Sequence, residues 1–142
     1  MINNILDSIT DKKLSEIETV NGNVMHVLKE NEDAFIRFGE AYFSWIKPQS
    51  IKGWKKHNKM TMNLVVPVGN VKFVFFNSSL DIKKEYIIGV DNYVRITVPP
   101  KIWFGFKGLG QENNLVLNIS SILHDSKEVE TKELDQIEYN WE

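Results

Sequence analysis

Short runs of strand-favouring residues dominate this sequence, and this pattern limits the possible folds more than any other feature. After Asn23 the runs are rich in Val, Ile, Phe and Tyr, and most are separated by Gly, Asn, Pro or Asp, the residues that turns require. The runs cover residues 24–28, 42–46, 62–68, 71–76, 86–90, 93–98 and 115–119. Many short strands at nearly regular spacing predict an all-β sandwich or barrel, which we place over residues 21–142 as one domain.

The first twenty residues have a different pattern. Apolar side chains recur there at a rough three-to-four spacing with polar residues between them, which is typical of a helix. They are Ile5, Leu6, Ile9, Leu14 and Ile17. Gly22, flanked by Asn21 and Asn23, ends the segment, because these residues tolerate a left-handed backbone. We predict an N-terminal helical arm over residues 1–20, used for packing or dimerisation, and assign it no chemistry.

One turn in the β region has a specific signature. Gly69 and Asn70 stand between two apolar runs and predict a two-residue turn that joins them as a hairpin. Pro67 lies just before this turn and has no N–H to donate, so it marks a sheet edge or a bulge.

Composition excludes several classes of protein. The 142 residues carry 17 Lys and Arg against 19 Asp and Glu, so the basic excess of a nucleic-acid-binding protein is absent. Cysteine is absent, which excludes disulfides, thiol catalysis and thiolate metal sites. No apolar run approaches the ~18 residues of a membrane span, and the first residues do not resemble a signal peptide. We therefore expect a cytoplasmic protein with no nucleic-acid or membrane partner.

The histidines do not form a metal motif. A metal-binding β-barrel commonly presents two histidines one residue apart, whereas this chain has Lys55 and His57 at that spacing. An ammonium group repels a cation and has no free lone pair, so we expect no metal and no other cofactor. His26 and His124 stand alone in the sequence, and we interpret both as structural.

The basic segment 50–59 is the main candidate for chemistry. Strand alternation places Lys55 and His57 on one face, together with Ile51 and Gly53. If this face lines an apolar lumen, burial and mutual repulsion push Lys55 and His57 toward neutrality, as a proton acceptor near neutral pH requires. The alternative is a solvated basic edge strand, and periodicity alone does not choose between them.

Aromatic residues are the second candidate feature. The chain has many aromatic residues for its length. They include Tyr42, Trp45, Trp54, Tyr86 and a group at residues 103–106. Most belong to the core on this interpretation, and some could form a stacking wall for a planar base or a sugar face.

Several blocks occur in an order that resembles a known family. They are residues 40–44, 51–54, 63–69, 98–106 and 119–141, and the most specific is Pro99-Pro100 followed by Gly105-Phe106. Over roughly residues 22–142 the chain is similar to the dTDP-4-dehydrorhamnose 3,5-epimerase family, in particular its short, divergent members found with surface-polysaccharide genes. The resemblance implies a cupin-type jelly roll, a homodimer and a nucleotide-linked sugar as ligand.

The family's reaction depends on a 4-keto group in the sugar. The carbonyl acidifies the neighbouring C3 and C5 hydrogens; a base removes one, a cation stabilises the enolate, and an acid on the opposite face returns a proton. The family's Arg-Gly-Leu-His motif falls on residues 52–55, so Lys55 replaces the catalytic histidine and Lys52 retains the cationic role of the arginine. We therefore expect Lys55 and His57 as the catalytic residues. Either His57 is a displaced base one pleat along the same face, or Lys55 is itself the base if it is buried, since burial lowers the pKa of a lysine.

Two other family positions also differ in this chain. The histidine of the second motif is Phe104 here, and the lysine that begins the next strand is Asn63. No tyrosine matches the family's acid between residues 115 and 123, which leaves Tyr42, Tyr86 and Tyr93 as candidates. The substrate-binding residues expected on this basis are Lys52, Asn63, Trp103 and Phe104.

The resemblance implies a sugar-nucleotide epimerase or isomerase that acts on a 4-keto-6-deoxy sugar. The alternative is a non-catalytic cupin that binds a sugar nucleotide or a glycan. A third interpretation is a structural dimer module within a biosynthetic complex. Only the enzyme must exchange a carbon-bound proton of its ligand with solvent.

Overall fold

A computed structural model describes residues 4–142, and most of its regular structure is β-strand. Within that range the strands are β1 (Thr10–Lys13), β2 (Glu16–Ile17), β3 (Val24–Met25), β4 (Glu40–Ile46), β5 (Ile51–His57), β6 (Met62–Val68), β7 (Asn70–Phe76), β8 (Lys83–Gly89), β9 (Val94–Val98), β10 (Trp103–Gly108), β11 (Asn114–Ser120) and β12 (Val129–Thr131). Two short 3-10 helices cover Ile5–Ser8 and Leu134–Gln136. The all-β class predicted from the sequence is confirmed.

The strands form two five-stranded antiparallel sheets. The first has the order β1-β9-β6-β11-β4 and the second β12-β5-β10-β7-β8, while β2 and β3 pair separately. The pairings are nested: β7 pairs with β8, β6 with β9, β5 with β10 and β4 with β11. The main core lies between the sheets, because buried side chains of β6, β9 and β11 form one cluster with those of β7, β8 and β10.

The N-terminal helix predicted over residues 1–20 is replaced by mostly extended structure. The described part contains only one 3-10 turn, whose first N–H groups are capped by Asn4, and then β1, which pairs with β9. Leu6 and Ile9 are buried in the main core and Leu14 in a neighbouring cluster. These side chains have the spacing of a helix, but the chain that carries them is mostly extended. Pairing of β1 with β9 outweighs the local preference for a helix. Residues 1–3 of the predicted arm lie outside the described range.

The hairpin predicted at Gly69 and Asn70 is also wrong. β6 and β7 belong to different sheets, so the chain crosses from one sheet to the other at Gly69, which has φ +78°. The Asn114 side chain holds this crossing by accepting hydrogen bonds from the N–H groups of Asn70 (3.0 Å) and Gly110 (3.0 Å). Crossing between sheets lets both runs turn their apolar side chains into the same core.

The outer face of the second sheet is covered by the C-terminal segment. Trp54, Phe76 and Trp103 on this face pack with Ile137, and Tyr139 and Trp141 lie against them. The backbones of Trp54 and Lys132 exchange two hydrogen bonds of 3.0 Å, which tie the segment to β5. In the described part of the chain, no helix is long and apolar enough to cross a membrane.

Candidate functional site

A cavity of about 460 Å³ opens between the two sheets, with walls from β4, β5, β6, β10, β11 and β12. Its apolar lining comprises Ile51, Met60, Met62, Leu64, Phe104, Phe106, Val116 and Val129. Its polar lining comprises Tyr42, Ser44, Lys52, Lys55, His57, Asn118 and His124. Gly53 completes the wall. Among residues 4–142 no Asp or Glu lines the cavity, so its side chains favour an anionic ligand.

His57 is the central polar residue of this site. It ends β5, is buried, and its Nδ1 is hydrogen-bonded to the Glu128 carboxylate, which is also buried. β12 begins at Val129 and pairs with His57, so the strand register brings the carboxylate of the preceding residue to the ring. The Phe104 ring stacks on the imidazole, with 5.7 Å between ring centroids. The ring is therefore held by a hydrogen bond at one edge and by an aromatic face.

The environment of Glu128 determines how the imidazole is protonated. Its Oε1 accepts hydrogen bonds from the N–H groups of Lys59 (2.9 Å) and Met60 (3.0 Å). Burial opposes ionisation of this carboxylate, but the hydrogen bonds from His57, Lys59 and Met60 outweigh burial and hold its pKa below the usual value. An ionised carboxylate only accepts hydrogen bonds, so Nδ1 of His57 is the donor. The neutral ring then carries its lone pair on Nε2, which is suited to accept a proton.

The two lysines expected at the site both line the cavity. Lys55 lies two residues before His57, pairs with Phe104 across β10, and is exposed. Lys52 stands nearer the start of β5, and its Nζ donates to the Trp45 carbonyl oxygen (2.6 Å) on β4. This contact links β4 and β5, which belong to different sheets, at one end of the cavity.

Tyr42 is the one candidate tyrosine acid that lines the cavity. Its hydroxyl oxygen accepts a hydrogen bond from Nδ2 of Asn118 (3.0 Å), so its own proton stays free to be donated. Tyr86 lies elsewhere, against the main core. Tyr93 is also outside the cavity, where its hydroxyl donates to the His26 carbonyl oxygen (2.9 Å).

Two of the four predicted substrate-binding residues line the cavity, and the other two do not. Lys52 and Phe104 line the cavity, whereas Asn63 and Trp103 lie outside it. Asn63 donates to the Ala34 carbonyl oxygen (3.1 Å) and accepts from the Thr97 hydroxyl (2.6 Å). Trp103 is buried on the outer face of its sheet, where the Lys56 ammonium lies over its ring.

Reasoning from the sequence missed three residues of the site. Asn118 and His124 line the cavity, and Glu128 is the hydrogen-bond partner of His57. Glu128 belongs to the charged stretch 127–133, where nothing distinguishes it from solvated neighbours. Asn118 lies in an apolar run and His124 in a loop next to Asp125. The alternating burial of β11 does place Asn118 on the inward face, and a buried amide there is the only available signal.

Comparison with known proteins gives a consistent set of relatives. No protein-family model matches the sequence. The crystal structure of a dTDP sugar isomerase from Desulfovibrio desulfuricans G20 superposes with a TM-score of 0.90 at 30% identity, over 99% of this chain and 95% of that chain. The spore coat polysaccharide biosynthesis protein SpsL of Bacillus subtilis is 22% identical, over 96% of this chain and 97% of that protein. A dTDP-4-dehydrorhamnose 3,5-epimerase from Elizabethkingia anophelis shares the fold, with a TM-score of 0.76 at 12% identity, over 94% of this chain and 80% of that one.

Proposed function

This chain belongs to the family of dTDP-4-dehydrorhamnose 3,5-epimerases and related dTDP-sugar isomerases, and we propose that it isomerises a dTDP-linked 4-keto-6-deoxy sugar. The reaction inverts a carbon next to the keto group and serves surface-polysaccharide biosynthesis, as the name of the SpsL relative suggests. The observation that carries this proposal is the buried His57–Glu128 pair, which lies at a cavity with no carboxylate in its lining among residues 4–142.

His57 is the base in this mechanism. Its Nε2 takes the acidic proton from the carbon next to the keto group, and the electron pair of the broken C–H bond forms the C=C bond of an enolate. The ring becomes an imidazolium, which the Glu128 carboxylate stabilises through Nδ1. Stacking on Phe104 keeps the ring in one orientation during this step.

Lys55 stabilises the enolate oxygen. Its ammonium is on the same cavity wall as His57, and a cation at that position offsets the negative charge that develops on the former carbonyl. Lys52 lies farther along the wall and is suited to the diphosphate, because its ammonium is already at the cavity and Trp45 offers it only a neutral carbonyl.

Tyr42 returns the proton to the other face of the sugar. It belongs to β4, whereas His57 belongs to the opposite sheet, so the two side chains approach a ligand between the sheets from different sides. The Asn118 amide donates to the Tyr42 oxygen and stabilises the phenolate left after proton transfer. Removal on one face and return on the other inverts the carbon.

Proton NMR in D₂O with dTDP-4-keto-6-deoxyglucose tests this proposal. We expect the C3 or C5 proton signal to disappear with wild-type protein and to persist with His57→Ala or Lys55→Ala. His26→Ala is the matched control, because His26 lies outside the cavity and should leave exchange unchanged. Unchanged signals with wild-type protein, despite saturable line broadening, would instead identify a protein that binds the sugar nucleotide without catalysis.

The strand topology and the homodimer implied by the resemblance can also be argued from the structure. We infer that the fold is a cupin-type jelly roll, because eight strands pair in the nested order that rolling up one long antiparallel ribbon produces. We also propose a homodimer formed through β4, an edge strand whose outer face exposes Phe43 (61%) and Trp45 (57%). An unprotected apolar edge favours pairing with an identical strand about a two-fold axis.

A further inference from the structure

His124 is a cavity residue to which the mechanism above assigns no role. Its side chain lines the cavity. Among residues 4–142 no hydrogen bond or ion pair holds its imidazole ring, and the neighbouring Asp125 carboxylate accepts instead from the N–H of Lys127 (2.9 Å). The two residues therefore do not form the polar pair that their adjacency in sequence suggests.

The loop that carries His124 is anchored on both sides of it. On the N-terminal side, Ser121 and Thr61 exchange two hydrogen bonds, from Ser121 N–H to the Thr61 carbonyl (3.1 Å) and from Thr61 N–H to the Ser121 hydroxyl (2.9 Å). On the C-terminal side, Asn58 N–H donates to the Glu128 carbonyl (2.8 Å), and a turn bond from Glu128 N–H to the Asp125 carbonyl (3.1 Å) links Asp125 to this anchor. Only a few residues lie between these anchors, so the position of His124 relative to the cavity is well defined.

The anchors also show which end of the cavity His124 occupies. The loop is bonded to Thr61 at its start, and at its end Glu128 is bonded to His57, Lys59 and Met60. All of these residues lie at or just beyond the C-terminal end of β5. Lys52 is five residues earlier on that strand, roughly 16 Å away at about 3.3 Å per residue. His124 therefore shares the His57 end of the cavity rather than the Lys52 end.

We propose that His124 is a substrate-binding residue that recognises a hydroxyl of the sugar ring, at C2 or C3, at the His57 end of the cavity. This inference rests on the proposed function, because it uses His57 to define the sugar end and Lys52 to define the diphosphate end. An imidazole can donate from one nitrogen and accept at the other, which matches a hydroxyl group. His124 thereby contributes to the choice of sugar, while the nucleotide is held elsewhere.

The test compares two stable ligands by isothermal titration calorimetry. One is dTDP-glucose, which has the sugar ring, and the other is dTDP, which lacks it. We expect His124→Ala to weaken dTDP-glucose binding about three- to tenfold, the usual worth of one hydrogen bond, and to leave dTDP binding unchanged. His124→Gln should restore part of the affinity, because its amide can also bond a hydroxyl. Lys52→Ala should weaken both ligands.

The control variant is Leu123→Ala, in the same loop but outside the cavity lining, which should change neither affinity. An equal loss for both ligands in His124→Ala, or no loss for either, would overturn the inference, as would a wild-type protein that binds neither ligand. If wild-type protein binds dTDP-glucose but exchanges no proton of the keto sugar, the proposed catalysis fails, and the affinities still decide the role of His124.

Discussion

At Glu128 one buried carboxylate organises the candidate site. Three hydrogen bonds converge on it, from His57, Lys59 and Met60, and together they keep it ionised despite burial. The charge determines which nitrogen of His57 carries the proton, and so which nitrogen can act as the base. At the scale of single residues, we therefore expect loss of this carboxylate to impair the proposed reaction, because the orientation and tautomer of His57 depend on it.

Glu128→Gln tests this role directly. The amide keeps the shape of the side chain but loses the charge. Its carbonyl oxygen can keep the two backbone donors, Lys59 and Met60, but its NH₂ group then faces Nδ1 of His57 and cannot accept from it. We expect proton exchange measured by NMR to fall about 10²-fold or more, and the free energy of unfolding in urea to fall by about 1–3 kcal/mol. Glu130→Gln is the matched control, since Glu130 lies on β12 and pairs with Lys56 away from the cavity. Equal effects of the two substitutions would contradict the assignment.

Glu32 provides a prediction about acid stability. Hydrogen bonds from Arg95, which is buried, and from Lys12 lower its pKa to about 2. In the unfolded chain its pKa returns to about 4.5, so the unfolded state binds more protons between these values and stability is lost as the pH falls through them. We expect the stability difference between wild type and Glu32→Gln to be full above pH 5 and to shrink toward pH 2. Urea titrations across this range measure it; a difference independent of pH would exclude the Arg95 contact as its source.

At the scale of elements, the crossing between β6 and β7 shows that one turn sequence is compatible with two arrangements: a hairpin within one sheet, or a crossing from one sheet to the other. Gly69 permits the left-handed backbone of a tight hairpin, but here it carries the chain to the opposite sheet. The adjacent Pro67 behaves as its chemistry predicts, because the register of β6 against β11 shifts between residues 65 and 68. The turn residues thus specify where the chain changes direction, but they do not determine which strand the following strand pairs with.

Gly69→Ala tests how tightly this crossing is built. A Cβ at Gly69 would lie 2.1 Å from Oδ1 of Asn114, whose hydrogen bonds prevent it from moving away. Gly22→Ala is the control, because Gly22 also has a positive φ but has no neighbour within 4 Å of the added Cβ. We expect Gly22→Ala to cost about 1 kcal/mol and Gly69→Ala clearly more, measured by urea unfolding. Similar costs would show that Asn114 does not hold the crossing.

At the scale of the whole molecule, the two sheets have unequal outer faces. The C-terminal segment covers the second sheet, where Trp54 and Trp103 are buried. The β4 edge of the first sheet keeps Phe43 and Trp45 exposed, in register with Leu117 and Leu115 of β11. Two large apolar side chains are therefore exposed together at one sheet edge, on the strand that brings Tyr42 to the cavity.

Trp45→Lys tests the proposed dimer interface. A charge in the middle of an apolar contact loses its hydration when the interface forms, so we expect the variant to sediment as a monomer and the wild type as a dimer. Ile87→Lys is the matched control, since Ile87 is similarly exposed (53%) but lies on β8, the edge strand of the other sheet. Monomeric wild-type protein, or a dimer that persists in Trp45→Lys, would rule out β4 as the interface.

The sequence alone determined the all-β class, because alternation and turn residues act between near neighbours in the chain, and its motifs indicated the family. It also predicted strand 51–57 as the candidate site, and Lys52, Lys55 and His57 of this strand do line the cavity. It did not determine the extended N-terminal segment, the crossing at Gly69, or the partners of His57. Glu128 is 71 positions from His57, and Asn118 is 76 from Tyr42. Only the tertiary structure decided these contacts, since strand register and the packing of two sheets bring such residues together, and no local periodicity records them.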